Sequence, residues 1–312
     1  MSAVLTVEKA QREKIKIPIL LSGVSGSGKT VSALFLAYGI VSSMYPDMPE
    51  NEQWDKIGLI DTEHRRASLN TDVEIAGQHI GHFKVVNLDE PFTIDRYEEA
   101  FYLLTSADCE VIIIDSISHN WEGKGGVLDA VDSYGGKFSD WKKVKPLEDR
   151  FKALAINDKV HVISTTRVKQ DYIMEINEKG KSAPRKVGLK MIQKDNLEYE
   201  YAVSFRIEQG AVAYPMKDNS NIFAEPKVLT VEDGKKLYEW SEVGIDVAKI
   251  EKERRQKEEK ERQSLITWIT EKQQDPQIMQ IVGRATNAMQ MPLESFPHKA
   301  ALKLYKQIEG AN

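Results

Sequence analysis

Cysteine is nearly missing from this sequence, which has 312 residues and a single thiol, Cys109. One thiol cannot close an intramolecular disulfide, so a disulfide-stapled secreted fold is excluded and a reducing, cytoplasmic setting is expected. Long hydrophobic runs are missing too. The longest, around Ile17–Leu21 and Val111–Ile114, have the length of β-strands and fall far short of a membrane span. The N-terminus mixes both charges, so no signal peptide is expected.

An excess of positive charge is also lacking, because 43 Lys and Arg stand against 48 Asp and Glu, a net charge of −5. This balance excludes a protein that coats nucleic acid with its whole surface, although it permits a local basic patch. The six histidines show no ligand spacing with cysteine or acidic residues, so a histidine-based metal centre is not expected.

Hydrophobic residues make up 41% of the chain, enough for a sizeable core. Short apolar runs alternate with helical patterns, which predicts an α/β fold with a mainly parallel sheet. The predicted strands are Lys16–Leu21, Ile57–Ile60, His82–Val86, Val111–Ile114 and Val160–Ser164, and the predicted helices are Val31–Val41, Pro91–Thr105 and Leu147–Ala155.

The pattern changes after Arg167, where alternating polar and apolar residues predict an antiparallel extension of the sheet. Its strands are expected at Tyr172–Ile176, Tyr199–Ile207 and Ala211–Tyr214, and a helix at Val231–Trp240. We therefore predict one large α/β domain over residues 1–245, a charged helical connector over 246–262 and a small α-helical module over 263–312.

The clearest motif is Gly23–Thr30, which matches G-x-x-x-x-G-K-[ST] without a mismatch between a predicted strand and a predicted helix. Glycines there let backbone N–H groups surround a phosphate. The alternative, an ordinary glycine-rich turn, is disfavoured by the flanking elements. The motif predicts ATP and Mg²⁺ as ligands, with Lys29 neutralising phosphate charge and Thr30 ligating the metal. The residues expected to hold the nucleotide are Gly23, Ser25, Gly26, Ser27, Gly28, Lys29, Thr30 and Val31.

Three strand ends carry polar residues that could complete this site. Asp115 follows the buried run Val111–Ile114 and is expected to hold the Mg²⁺ water shell, the alternative being a helix cap. Glu63 is the preferred general base and Asp61 the second choice, unless both are plain surface acids. Thr166 could sense the terminal phosphate, or could simply be polar at a strand end.

The Gly23–Thr30 motif and these three strand ends have the order and approximate spacing of the corresponding segments in RecA-like ATPases. More specifically, the chain resembles the phage-encoded RecA-like ATPases of the Sak type, which are associated with single-strand annealing and recombination. The resemblance covers about residues 15–243. It depends on Asp115–Trp121, Gly125-Gly126, Trp141, Arg167-Val168-Lys169, Ala183–Leu189, Glu198–Tyr201 and Glu239-Trp240.

The resemblance implies a RecA-like P-loop core, DNA-stimulated ATP hydrolysis, single-stranded DNA as partner, and a homo-oligomer, ring or filament, that completes its ATP site between subunits. In that family a Lys-x-Arg is thought to reach into the neighbouring subunit. Here the stretch reads Lys217-Asp218-Asn219, so a planar bidentate donor is lost while Lys217 could still supply charge. Lys217 could equally lie in a polar turn.

Two segments are candidates for DNA contact. Six basic residues and no acidic one lie between positions 179 and 194, and they either bind phosphates or form a solvated hairpin. The glycine-rich stretch 122–145 is flanked by Trp121 and Trp141, which could stack on bases or anchor the core. The predicted DNA-binding residues are Lys179, Lys181, Arg185, Lys186 and Lys190.

Other functions remain open from the sequence. The same core could serve a helicase-type motor or loader, or a nucleotide-gated assembly module with weak hydrolysis. A small-molecule kinase would need an arginine-rich lid, which is not found. The C-terminal helices could dock a single-strand-binding protein or another replication partner.

Overall fold

The computed structural model describes residues 7, 9–176 and 182–310. The chain divides into two compact units, one formed by Ile15–Val243 and the other by Gly244–Asn312 together with Met1–Lys14. In the described part of the chain, no helix has both the length and the apolar character needed to cross a membrane.

The larger unit is built on a mainly parallel sheet with the strand order β11-β10-β9-β1-β7-β6-β2-β5. The strands from β9 to β5 in that order run parallel, whereas β10 and β11 are antiparallel to their neighbours. The strands are β1 (Pro18–Gly23), β2 (Ile57–Asp61), β3 (Val73–Ile75), β4 (Gln78–Ile80), β5 (Lys84–Asn87), β6 (Val111–Asp115), β7 (His161–Ile176), β8 (Ser182–Met191), β9 (Val203–Ile207), β10 (Val212–Asp218) and β11 (Lys227–Val228).

Helices cover both faces of this sheet, and β1, β2 and β6 are therefore buried on both sides. One core includes the apolar side of the helix that follows β1, and the other includes Tyr97, Phe101 and Phe151. The helices are α1 (Lys29–Met44), α2 (Glu50–Trp54), α3 (Ile94–Ser106), α4 (Ser118–Glu122), α5 (Val127–Ser133), α6 (Trp141–Ala155) and α7 (Val231–Ser241).

The α/β fold with a mainly parallel sheet and an antiparallel extension is therefore confirmed. Details differ from the sequence prediction. The strand expected at Tyr199–Ile207 begins only at Val203, because Leu197–Glu200 forms a 3₁₀ helix, and strand β8 was not predicted. The hairpin β3–β4 was not predicted, since its strands are only three residues long. The strand expected at Val160–Ser164 continues to Ile176, because its second half leaves the central sheet and pairs antiparallel with β8.

The smaller unit contains α8 (Val247–Lys272), α9 (Pro276–Met289) and α10 (His298–Glu309). Helix α8 is continuous through the charged segment and into the segment predicted as a module. The first half of α8 is exposed, whereas Ile269 near its end packs in a core with residues such as Phe296 and Leu304. Asp246 and Asp275 cap the first turns of α8 and α9 by accepting backbone N–H bonds.

Candidate functional site

The Gly23–Thr30 loop closes tightly at the carboxyl end of β1. Gly26 and Gly28 have φ values of 77° and 96°, a left-handed backbone that disfavours side chains. A Cβ on Gly23 would lie 2.4 Å from the carbonyl oxygen of Ile207, so β9 also limits this position to glycine. Because these positions carry no side chains, backbone groups line the loop, as phosphate binding needs.

Lys29 folds back over the loop, where its Nζ donates to the carbonyl oxygens of Gly23 at 2.9 Å and Val24 at 2.8 Å. Burial lowers the pKa of Lys29, and the carboxylates of Asp115 and Glu63 oppose this shift. Beside it, the Ser27 hydroxyl is buried and has no hydrogen-bond partner within the described residues. A buried ammonium and an unsatisfied hydroxyl next to a glycine cradle fit the phosphates of a nucleotide.

Asp115 brings together hydroxyl groups from two elements. Its Oδ2 accepts from Thr30 Oγ1 at 2.6 Å, and its Oδ1 accepts from Thr165 Oγ1 at 2.5 Å. Burial raises the pKa of this carboxyl, while the two hydroxyl donors act in the opposite direction. Thr30 and Asp115, predicted as the metal-binding pair, are therefore in direct contact. The hydroxyl oxygen of Thr30 and the carboxylate oxygens of Asp115 are the kind of ligand atoms that suit Mg²⁺.

The two acids after β2 have different surroundings. Asp61 accepts from the backbone N–H groups of Glu63 at 2.6 Å and Ala67 at 3.0 Å, so its carboxylate holds its own loop together. Glu63 instead contacts residues of other strand ends. Its Oε1 accepts from Arg167 Nε at 2.7 Å and from Ser116 Oγ at 3.1 Å. This arrangement favours Glu63 over Asp61 as the site carboxylate.

Arg167 is a site residue that the sequence interpretation did not assign. Its guanidinium contacts both oxygens of Glu63, whose side chain is only 15% exposed. Burial would raise the pKa of Glu63, but the hydrogen bonds and charge of Arg167 hold that pKa below its usual value. Arg167 also pairs in register with Gly23, the first residue of the loop. The sequence signals were a cation directly after a strand that ends in hydroxyl residues and the place of Arg167-Val168-Lys169 among the segments that carry the resemblance.

Thr165 and Thr166 point to opposite faces because side chains alternate along a strand. Thr165 contacts Asp115, whereas Thr166 Oγ1 lies 3.1 Å from the Ser118 hydroxyl. The predicted phosphate-sensing threonine is thus one residue beyond the threonine that touches the predicted metal site. Single-residue register on a strand of successive hydroxyls could not be assigned from the sequence.

The Thr62 hydroxyl connects the ends of two strands at the same edge of the sheet. Its Oγ1 lies 2.7 Å from His119 Nδ1 and accepts from the Ser116 N–H at 2.8 Å. Burial and the nearby Arg167 charge lower the pKa of His119, which favours its neutral form. Thr62 therefore holds the Glu63 segment against the residues that follow β6.

Lys217 lies on β10, where its Nζ donates to the backbone carbonyl of Tyr199 at 2.6 Å. The structure brings Lys29, Glu63 and Asp115 together but places Lys217 in this separate contact. A role toward a neighbouring subunit stays a prediction.

Strands β7 and β8 pair antiparallel from Val168–Met191 to Ile176–Ser182, and residues 182–191 of the basic segment lie on β8. Lys179 and Lys181 lie outside the described residues. Arg185 and Lys186 lie on β8, and Lys190 is exposed with its Nζ 2.7 Å from Asp195 Oδ1. An ion pair to Asp195 reduces the positive charge that Lys190 offers to a phosphate.

Aromatic residues of the stretch 122–145 divide into two groups. Trp121 and Trp141 lie 5.9 Å apart between ring centroids and pack on a small core containing Val144, which favours the anchoring role. Phe138 and Tyr134 were not singled out from the sequence, yet they are 93% and 51% exposed. These two rings are therefore the ones available for stacking in this stretch.

Known proteins that resemble this chain are found among solved structures. No family model matches the chain, and no curated protein matches it. Among solved structures, the chain is similar to the RadB recombinase, with 13% identity, a TM-score of 0.36 and coverage of 71% of this chain and 90% of that chain. It is also similar to the flagellar accessory protein FlaH from Methanocaldococcus jannaschii, with 16% identity, a TM-score of 0.35 and coverage of 70% and 89%. TM-scores this low support no inference about activity.

Proposed function

We propose that this protein is a RecA-like ATPase that binds single-stranded DNA and promotes annealing or strand exchange, in phage recombination or replication. The observation that carries the ATPase part is the meeting of Lys29, the Thr30–Asp115 pair and Glu63 at one edge of the sheet. Ligands of open α/β sheets bind at the carboxyl ends of the strands, where these residues lie.

Each residue has a defined part in hydrolysis. The loop N–H groups and the Lys29 ammonium bind the phosphates and offset charge that develops on the leaving group. Thr30 and Asp115 would hold Mg²⁺, which would supply Lewis-acid stabilisation of the phosphate oxygens. Glu63 accepts a proton from the attacking water. The water oxygen then bonds to the terminal phosphorus, and the bond to the bridging oxygen breaks, leaving its electron pair on ADP.

The proposed DNA contacts come from the basic segment and from the glycine-rich stretch. Lys179, Lys181, Arg185 and Lys186 would bind phosphates, the last two from β8, and Phe138 with Tyr134 would stack on bases. Lys143 Nζ lies 5.0 Å from the ring centre of Tyr134, so a cation accompanies one of the exposed rings. A homo-oligomer and a replication partner for the C-terminal helices belong to the same proposal.

A second candidate is a nucleotide-gated assembly module with weak hydrolysis. Two observations favour it: Arg167 engages the Glu63 carboxylate, and Lys217 is bonded to Tyr199 while Asn219 replaces the expected arginine. Tight ATP binding with negligible turnover at any DNA concentration would select this candidate over the ATPase.

The test is ATP turnover and DNA binding on the same full-length preparations. Turnover should rise with single-stranded DNA and fall at least about 100-fold in Lys29→Ala. Lys84→Ala, at the first residue of the edge strand β5, should behave like the wild type. DNA affinity is measured by anisotropy across a salt series. Neutralising Lys179, Lys181, Arg185 and Lys186 should lower the salt slope by up to about 0.7 per lost contact.

Neutralising four exposed lysines between positions 249 and 260 of α8 is the matched control, since it removes the same charge from a solvated helix. If both sets weaken DNA binding equally, or if wild-type protein neither binds DNA nor responds to it, the DNA role is wrong. The four control lysines are Lys249, Lys252, Lys257 and Lys260.

A further inference from the structure

The Arg167 guanidinium lies near two places for an anion, the Glu63 carboxylate and the loop that would hold the nucleotide phosphates. It contacts Glu63 through Nε and through its terminal nitrogen, and its backbone is beside Gly23 of the phosphate loop. Its charge also reaches Lys29, whose pKa it helps to lower. One cation therefore stands between the predicted general base and the loop that would hold the phosphates.

The pair leaves Glu63 little freedom to act on water. Oxygen Oε1 accepts from both Arg167 and Ser116, and Oε2 accepts from Arg167. A carboxylate whose two oxygens are engaged by a guanidinium is a weak proton acceptor and is fixed in direction. A phosphate offers the same planar donor two oxygens and more negative charge, so it is a competent rival for the guanidinium.

We propose that Arg167 is a positioning residue that exchanges between the Glu63 carboxylate and the terminal phosphate of a nucleoside triphosphate bound at the loop. While Arg167 is paired with Glu63, the base is held out of use. When Arg167 turns to the phosphate, Glu63 is released to accept the proton of the attacking water. This inference rests on the proposed ATPase function. It adds Arg167 as the residue that makes Glu63 available as a base only when the third phosphate is bound.

The backbone of Arg167 connects the exchange to the hairpin. Its carbonyl oxygen accepts from the Ile192 N–H at 2.8 Å, and the next residue, Val168, begins the antiparallel pairing with Met191. The Arg167 N–H donates to the Ser118 hydroxyl at 2.9 Å, which holds this point against the start of α4. The nucleotide bound at the loop is therefore expected to change the hydrogen-exchange protection of backbone amides where β7 and β8 begin to pair, such as that of Ile192.

The test is a double-mutant cycle on nucleotide binding, measured by calorimetry with the non-hydrolysable β,γ-imido analogue of ATP and with ADP. Glu63→Gln removes the competing carboxylate charge, so the analogue should bind roughly fivefold or more tightly while ADP affinity stays unchanged. The gain should disappear when Arg167→Ala is also present. Arg167→Lys, which keeps charge without the planar fork, should retain part of the gain.

A matched control is available in the pair formed by Arg150 and Glu98, which also joins Nε to one carboxylate oxygen, at 2.9 Å, and a terminal nitrogen to the other. Glu98→Gln should leave both nucleotide affinities unchanged. Hydrogen exchange supplies a second readout. The Ile192 amide should differ in protection between the analogue and ADP in the wild type, and this difference should vanish in Arg167→Ala and shrink in Arg167→Lys.

The outcomes separate the two proposals. If the wild type binds neither nucleotide, the ATPase function fails and the exchange fails with it. If nucleotides bind but the Glu63→Gln gain is missing, or persists in the Arg167→Ala background, then only the exchange is overturned. Circular dichroism of each variant checks that the fold is retained.

Discussion

At the scale of single residues, the site depends on a buried carboxylate that neutral hydroxyl groups stabilise. Asp115 is 4% exposed and accepts from Thr30 and Thr165, which belong to α1 and β7. A buried charge costs free energy unless donors compensate it, and here two threonines supply the donors beside the Lys29 ammonium. The same contacts that stabilise the fold thus hold the proposed metal ligands in place.

Thr165→Val tests this account, because valine has the same shape but no hydroxyl. We expect the free energy of unfolding to fall by about 1–3 kcal/mol, since a buried carboxylate oxygen loses its donor. Urea denaturation measures the change. Thr105→Val is the control, as its hydroxyl only bonds carbonyls of its own helix α3 and its loss should cost less than about 0.5 kcal/mol. Equal effects in both variants would refute the role given to Thr165.

At the scale of elements, the position of α1 against α7 depends on two glycines. A Cβ on Gly39 would lie 2.1 Å from the Val231 carbonyl oxygen, and one on Gly234 would lie 2.3 Å from the Leu36 carbonyl oxygen. Backbone atoms cannot move as a flexible side chain can, so only glycine allows this close helix crossing. Because α1 begins at the phosphate loop, the crossing also supports the site.

Gly39→Ala is therefore expected to destabilise the protein by about 2 kcal/mol or more through overpacking. Gly283→Ala gives the opposite expectation. Gly283 lies within α9, a Cβ there would meet no atom within 4 Å, and alanine should stabilise the helix by up to about 1 kcal/mol. Denaturation midpoints of the two variants check both signs, and a stable Gly39→Ala protein would contradict the described crossing.

At the scale of the whole molecule, a buried histidine ties stability to pH. His161 begins β7, is fully buried, and its Nδ1 accepts from the Ile17 N–H at 3.1 Å. Burial lowers the pKa of His161 from the usual 6.5 to about 3. The unfolded chain binds this proton near pH 6.5 and the folded protein only near pH 3. Stability contributed by the neutral ring is therefore lost as the pH falls below about 6.5.

His161→Asn keeps an acceptor near the Ile17 N–H but cannot titrate. Between pH 7 and pH 5, we expect the wild type to lose about 2 kcal/mol more of its free energy of unfolding than this variant. Urea denaturation at the two pH values measures the difference. Identical pH dependence in both proteins would show that His161 is not buried as a neutral ring.

Much of the fold could be predicted from local sequence patterns. The strands around Ile57 and Val111 and the helix after Gly28 follow from short apolar runs and from the glycine motif, which act within a few residues of each other. The hairpin β3–β4 and the full length of β7 could not be predicted. Short strands have weak periodicity, and the change of pattern after Arg167, where β7 changes partners, makes one continuous strand look like two separate ones.

The sequence by itself determined the phosphate loop, because backbone N–H groups, Lys29 and Thr30 all come from one short segment. Only the tertiary structure decided which distant side chains complete the site. Arg167 and Thr165 reach Glu63 and Asp115 across 104 and 50 residues of chain. Strand order brings them together, since β7 lies between β1 and β6 and presents its end beside both. Such pairing depends on the packing of whole elements, which no local pattern encodes.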